Sequence, residues 1–259
     1  MKWACGIIAA PRPSADSLSR CLASVQSNGI GECLVFAEPE TEVSCVPKSQ
    51  LVMRPNRIAD PIGNLQSSPG GQLGNFQNWL QCAADLLTQD ADAFLIVEDD
   101  AVFCAGAVSF VDGLLWPDSR CGAINFYAAN VSVLRQKAVP AFVPWPRSGL
   151  MGSLAVVFRR ECLQQIVSDP EIFEYQKDLI LSERLKPWER RAIDTWVGVR
   201  MRAMRWLCWT FTRSLVNHHV PPKMRDNSSL GHGPSTGKRA TLRYVGDNPQ
   251  DLRKFFRMK

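Results

Sequence analysis

The stretch from Asp92 to Phe103, DAFLIVEDDAVF, decides how this chain is read. Apolar residues run from Ala93 to Val97, stop at Glu98, Asp99 and Asp100, and resume at Ala101. A short continuous apolar run bounded by polar residues reads as a strand buried on both faces. Three adjacent carboxylates at its end repel one another. In an open α/β sheet that end is also where ligands bind. A divalent cation with oxygen ligands relieves such repulsion. A solvated turn is the plain alternative for an acidic triplet, but the apolar residues on both sides of this one weigh against it.

Outward from this strand, the pattern is of strands alternating with helices. Trp3 to Ala10 reads as a buried strand that stops at Pro11-Arg12-Pro13. Ser14 or Asp16 can cap a helix with apolar positions Leu18, Cys21, Leu22 and Val25, and ECLVFAE is a second strand. Strand, helix, strand is the opening of a doubly wound α/β sheet. Pro39 to Gly71 reads as one long loop. Leu73 to Thr88 reads as a helix with Leu73, Phe76, Leu80, Ala83, Ala84 and Leu87 on its apolar side. Further on, Ala105 to Leu115 is expected to be helical, and RCGAINFYA to be a strand. The Pro140 to Arg147 stretch reads as a loop. GSLAVVF is expected to be a strand, RRECLQQIVSDP a helix stopped before Pro170, Glu189 to Met204 a helix, and LCWTFTRSLV a strand.

Composition narrows the classes. A chain of 259 residues with 46% hydrophobic and 21% charged residues has enough apolar material for one large core and is not globally disordered. The net charge of +5 collects late, between Lys223 and Lys259, which suits polyphosphate ligands, an anionic partner or simply a solvated tail. Nine cysteines without a CxxC spacing point to buried thiols in a reducing, cytoplasmic setting, not to a disulfide framework or a zinc site. Every long apolar run is broken by charge or proline, so no transmembrane segment is expected. MKWACGIIAAPRP reads as a first strand and not as a signal peptide.

With these residues in view, LIVEDDAVF after the helix GNFQNWLQCAADLL resembles the DxD region of GT-A-fold nucleotide-sugar glycosyltransferases, family-2-like members in particular. Here the pattern is Glu98-x-Asp100, with Glu in place of the first Asp. The resemblance implies a GT-A-like Rossmann-type mixed sheet flanked by helices, in a single domain over residues 1–240 followed by a basic tail over 241–259. It makes Asp100 a ligand of Mn2+ or Mg2+ and puts Glu98, Asp99 and Asn75 on the donor side. The opening IIAAPRP…LVFAEPE is similar to the family's nucleoside-holding segment, which points to Ala10, Pro11, Arg12 and Glu38. A simple loop acid is the other reading of Glu38. GSLAVVF resembles the glycine-containing loop facing the sugars, whence Gly152 and Ser153, where small residues let backbone approach a ligand closely.

RAIDTWVG resembles the region that supplies the base of inverting members, so Asp194 is the candidate base. A helix N-cap, or an ion pair with Arg190 or Arg191, is the structural alternative. SLVNHHVPPKMRDNSSLGHG is similar to the late segment that brings a histidine to the metal. Adjacent side chains diverge, so at most one of His218 and His219 is the ligand, and His218 is preferred for its position directly after SLVN, with a structural histidine as the alternative. Ser229 lies in the stretch that can close over the pyrophosphate. The activity implied is transfer of a sugar from a nucleotide-diphosphate sugar to an acceptor hydroxyl with inversion. Trp145, Trp188 and Trp196 are candidates for stacking on sugar, with core packing as the default for any Trp.

Two rival readings remain. Nucleotidyl transfer to a sugar phosphate calls for a glycine-rich loop after the first strand, and AAPRPS lacks the glycines. A nucleic-acid-binding module would use the basic tail with Tyr244, Phe255 and Phe256, although no binding motif appears. The glycosyltransferase and nucleic-acid readings meet in a glycosyltransferase whose acceptor is a modified nucleic-acid base.

Overall fold

The computed structural model describes residues 1–11, 16–53, 72–127, 142–144, 152–182 and 193–218, together with Val245, Leu252 and Phe256. In chain order the strands are β1 (Trp3–Ala9), β2 (Cys33–Ala37), β3 (Leu51–Met53), β4 (Ala93–Glu98), β5 (Ala101–Phe103), β6 (Cys121–Asn125), β7 (Phe142–Pro144), β8 (Ala155–Arg159), β9 (Leu207–Phe211) and β10 (Val216–His218). The helices are α1 (Asp16–Ser27), α2 (Gln72–Leu87), α3 (Ala107–Asp112), α4 (Arg160–Val167), α5 (Glu171–Ser182) and α6 (Ile193–Ala203).

Eight strands form one mixed sheet in the order β3-β2-β1-β4-β8-β6-β9-β7, while β5 and β10 form a separate antiparallel ribbon. β3, β2, β1 and β4 are mutually parallel. β8 is antiparallel to both β4 and β6, which makes β6, and β9 parallel to it, run in the direction of β4. The carboxyl ends of β1, β2, β4, β6 and β9 therefore share one edge with the amino end of β8. Chain order reverses between β1 and β4, so the switch-point crevice opens beside the Glu98 end of β4.

Helices cover both faces. Cys5, Ile7 and Ala9 of β1 and Leu95 and Val97 of β4 pack with Leu18, Cys21, Leu22 and Val25 of α1 and with α3. Ala4, Ile8, Phe94 and Ile96 face the other way, onto α2, α4, α5 and α6. This alternation from strands buried on both sides is why β4 reads as an unbroken apolar run, and each fully buried large side chain stabilises the fold by roughly 1.5–3 kcal/mol. α2 meets β1 at Gly6, where an added Cβ would run into the Cys82 thiol and lie 3.2 Å from Leu86 Cδ1. α4 meets β6 in the same manner at Gly122, whose added Cβ would sit 2.6 Å from Cys162 Sγ.

Several expectations are corrected. The buried side of α2 is Phe76, Trp79, Cys82, Ala83 and Leu86, while Ala84 is exposed and Leu80 and Leu87 are half-buried. The packing of Cys82 into the space above Gly6 rotates the helix away from the stripe expected from leucines. The loop expected over Pro39 to Gly71 contains a 3-10 turn (Lys48–Gln50) and the edge strand β3. The helix expected over Ala105 to Leu115 is confined to α3. The Pro140 to Arg147 stretch contributes the edge strand β7. LCWTFTRSLV is not one strand: it bends after Phe211 and continues as β10. α5, with Ile172, Tyr175 and Leu179 buried at helical spacing, was not expected at all. Trp196 is a core residue, stacked on Tyr175 at 4.9 Å and edge-on to Phe76 at 5.2 Å, so it takes no part in sugar stacking. Phe256 is likewise 1% exposed, between Phe110 and Phe211, and is not a stacking platform for bases.

Two buried electrostatic joints hold the helical face. Arg160 donates to the carbonyls of Leu87 (3.0 Å), Gln89 (2.7 Å) and Ala91 (2.9 Å), closing the end of α2, with its guanidinium 4.7 Å from the Phe94 ring centre. Arg200 of α6 forks onto Asp169, at 2.6 Å and 3.2 Å, and Asp169 also accepts the Glu171 N–H that opens α5. Asp169 is 4% exposed. Removing one partner of such a pair leaves the other charge buried, so Arg200→Ala is expected to cost about 3 kcal/mol in urea unfolding. A loss within experimental error would show the fork to be dispensable.

All nine cysteines are free thiols, and only Cys45 is exposed. Native protein treated with iodoacetamide is expected to gain one adduct, on Cys45, by intact-mass analysis. Labelling of buried thiols under native conditions would show that the two cores open.

Candidate active site

The acidic triplet occupies the turn between β4 and β5. Glu98 closes β4, its N–H bonded to the Leu154 carbonyl at 2.9 Å. Asp99 and Asp100 form the turn, 2% and 1% exposed. Asp99 N–H bonds the Ile8 carbonyl at 3.1 Å, and its Oδ2 accepts the Ala10 N–H at 3.3 Å. One residue of the turn thus fixes the start of the loop after β1. Beneath it, the Cys21 thiol of α1 donates to the Glu98 carbonyl at 3.5 Å. That thiol is pushed well up, by burial first and then by the negative charges of Asp99 and Asp100. The apolar residues after the carboxylates are the ribbon strand β5.

β10 pairs with β5 in the register His218↔Ala101, Asn217↔Val102 and Val216↔Phe103. The backbone of His218 is therefore brought opposite the residue that follows Asp100. The His218 side chain lies outside the described part of the structure, as do His219, Arg12, Ser229, Arg190 and Arg191.

A second carboxylate approaches from α6. Asp194, in the first turn and half-buried, accepts the Gly152 N–H on Oδ2 at 2.5 Å and the Thr195 N–H on Oδ1 at 2.7 Å. The next residue, Ser153, donates its hydroxyl to Glu98 Oε1. Two consecutive residues before β8 therefore hold two carboxylates from different elements. Gly152 has φ +79°, a left-handed conformation that favours glycine.

Asn125, at the carboxyl end of β6, was not anticipated. It is 2% exposed, accepts the Tyr127 N–H on Oδ1 at 2.9 Å and donates Nδ2 to the Gly152 carbonyl at 2.8 Å. The signal was present: a polar residue closes an apolar strand, as Glu98 does. Asn75 is half-buried in α2, whereas Asn78, one turn on, is the buried asparagine. Asn78 Nδ2 donates to the Phe36 carbonyl at 2.7 Å and to the Ala9 carbonyl at 3.4 Å, tying together the ends of β2 and β1. Glu38 follows β2, with its N–H on the Ala9 carbonyl at 2.9 Å and its side chain fully buried. Ala10 and Pro11 are half-buried at the same edge.

Among the described residues no three His, Cys, Asp or Glu side chains converge to enclose a metal ion. The donor set at the turn is carboxylate oxygen, the chemistry Mg2+ and Mn2+ take, and Mg2+ is commonly bound by one or two carboxylates plus substrate phosphates. An ion held in that partial way fits the residues present.

No protein-family profile matches the sequence. No curated protein matches it either. In three dimensions the chain is similar to A197 from STIV, with a TM-score of 0.46, 12% identity, and coverage of 85% of this chain and 87% of that one. It is similar to the inositol-1-phosphate CTP transferase from T. maritima, with a TM-score of 0.45, 9% identity, and coverage of 89% and 96%. It is also similar to the mannosyltransferase PcManGT from Pyrobaculum calidifontis, solved with GDP-Man and Mn2+, with a TM-score of 0.39, 13% identity, and coverage of 79% and 55%. Among the described residues no helix is long and apolar enough to cross a membrane.

Proposed function

We propose that this chain is a metal-dependent, inverting glycosyltransferase that uses a nucleotide-diphosphate sugar. One observation carries the reading. The buried acidic turn at the end of β4 and the carboxylate of Asp194 meet at one sheet edge, anchored on the adjacent residues Ser153 and Gly152. An acidic turn beside the switch point supplies a place for a diphosphate's cation. A positioned carboxylate beyond it supplies a base.

In this reading Asp100, with His218 from the ribbon, holds Mn2+ or Mg2+. The ion, when bound, neutralises charge on the departing nucleoside diphosphate. Asp99 keeps the loop at Ala10 and Pro11 against the donor, and Glu98 holds Ser153 at the sugar. Asp194 takes the proton from an acceptor hydroxyl as that oxygen attacks the anomeric carbon from the face opposite the leaving group. The bond to the diphosphate breaks as the new glycosidic bond forms, and configuration inverts.

The test is a panel of nucleotide sugars incubated with the protein, with and without Mn2+, reading nucleoside diphosphate release and the anomeric configuration of the product by NMR. Mn2+-dependent release with an inverted product supports the reading, and a retained configuration removes Asp194 as an inverting base. Salt-sensitive duplex binding with no donor turnover would instead favour a nucleic-acid-binding module.

A further inference from the structure

The Asn125 amide is oriented without ambiguity. Its Oδ1 faces the Tyr127 N–H, which leaves Nδ2 to donate to the Gly152 carbonyl. Gly152 is held from both sides: its carbonyl by Asn125 of β6, and its N–H by Asp194 of α6. The next side chain, Ser153, is held by Glu98 of β4. A backbone segment gripped at three consecutive polar points by three different elements has little freedom to turn. Its left-handed φ at Gly152 is the conformation that aims the N–H at Asp194.

We infer that Asn125 is a positioning residue for the reaction: through Gly152 it sets the direction of the Asp194 carboxylate and, through Ser153, its placement relative to Glu98. The inference rests on the transferase reading for its kinetic consequence, but the hydrogen-bond chain itself does not. With the Asn125 amide gone, the Gly152 carbonyl loses its anchor, the backbone about the Gly152 Cα can turn, and the Gly152 N–H loses its fixed direction toward Asp194 Oδ2. The base then loses its aim. Misplacement of a catalytic group by about 1 Å costs on the order of 10²-fold in rate.

The experiment compares Asn125→Ala, Asn125→Asp and Asp194→Asn with the parent. Asn125→Asp keeps an acceptor for Tyr127 N–H but cannot donate to Gly152. Both Asn125 variants are expected to lower kcat by roughly 30- to 100-fold. KM for the donor should stay within about twofold. A merely structural role would lower the folded fraction and leave kcat per folded molecule unchanged. Wild-type kcat per folded molecule in both variants overturns the inference, provided Asp194→Asn abolishes turnover. If Asp194→Asn retains turnover, the base assignment has failed instead. Should no donor turn over at all, hydrogen exchange at the Gly152 amide decides: protection lost in Asn125→Ala upholds the chain, and unchanged protection refutes it.

Discussion

An Asp100→Asn chain is expected to lose metal-dependent donor turnover by about 10³-fold while keeping its fold. The side chain is nearly isosteric, so the turn between β4 and β5 and the β5–β10 ribbon remain. What changes is charge at a position 1% exposed, one residue from Ala101, which pairs with His218. The neighbouring Asp99→Asn supplies the contrast. Asp99 Oδ2 serves as an acceptor for the Ala10 N–H, a task an amide oxygen still performs, so its loss is expected to be smaller, about tenfold. Nucleoside diphosphate release at saturating Mn2+, alongside thermal unfolding, reads both. Equal losses in the two variants would deny Asp100 its separate role. Full metal-dependent activity in Asp100→Asn would remove it from the metal altogether.

The second large effect concerns pH and stability. Six buried thiols are pushed up in the folded chain, with burial as the leading cause for all except Cys5, where the hydrogen bond with Cys33 leads: Cys5, Cys21, Cys82, Cys162 and Cys208, and Cys121 to about 12. Unfolding returns each to the ordinary thiol value, about 8.5. Below that value both states are protonated, and the thiols do not make stability depend on pH. Above it the unfolded chain binds fewer protons than the folded one, so stability falls as pH rises, and goes on falling until the folded values are reached. Each thiol contributes a slope of roughly 1.4 kcal/mol per pH unit, so six together approach about 8 kcal/mol per unit. That is comparable with the whole stability of an ordinary domain, about 5–15 kcal/mol. Under reducing conditions, urea midpoints are expected to be level from pH 6 to 8, with cooperative unfolding by about pH 10. A midpoint unchanged between pH 7.5 and 10 would contradict the buried, protonated state of these cysteines.

How far these features are legible in sequence depends on their size and on what holds them. β4 is visible because both of its faces are buried, and α1 because Leu18, Cys21, Leu22 and Val25 keep helical spacing against a single layer. β3, β5 and β7 span three residues each, too short to carry a period, and exist through their pairing partners. The rotation of α2 was hidden because it depends on Gly6, a residue far away in the chain that leaves room for Cys82. α5 is legible in Ile172, Tyr175 and Leu179, but Pro170 marks the end of one helix as well as the approach to the next, and the end is the stronger local signal.

At the candidate site, the acidic turn stood out because charge interrupts apolar sequence. Gly152 and Ser153 were placed by resemblance, and their attachment to Asp194 and Glu98 emerges only when α6 and β4 are brought to the same edge. Asn125 was missed because an amide carries no charge to mark it, although it closes its strand as Glu98 closes β4. The approach of the His218 backbone to the acidic turn depends on β10 folding back onto β5, which no local pattern encodes.

The central claim is that the acidic turn holds a cation that in turn holds a nucleoside diphosphate. Its most direct test is calorimetric titration of the intact protein with GDP, UDP and CDP, with and without Mn2+. Binding of at least one nucleoside diphosphate that requires Mn2+ and is lost in Asp100→Asn is the predicted result. Binding equally tight in the presence of a chelator, or no binding of any of the three with the metal present, would contradict it.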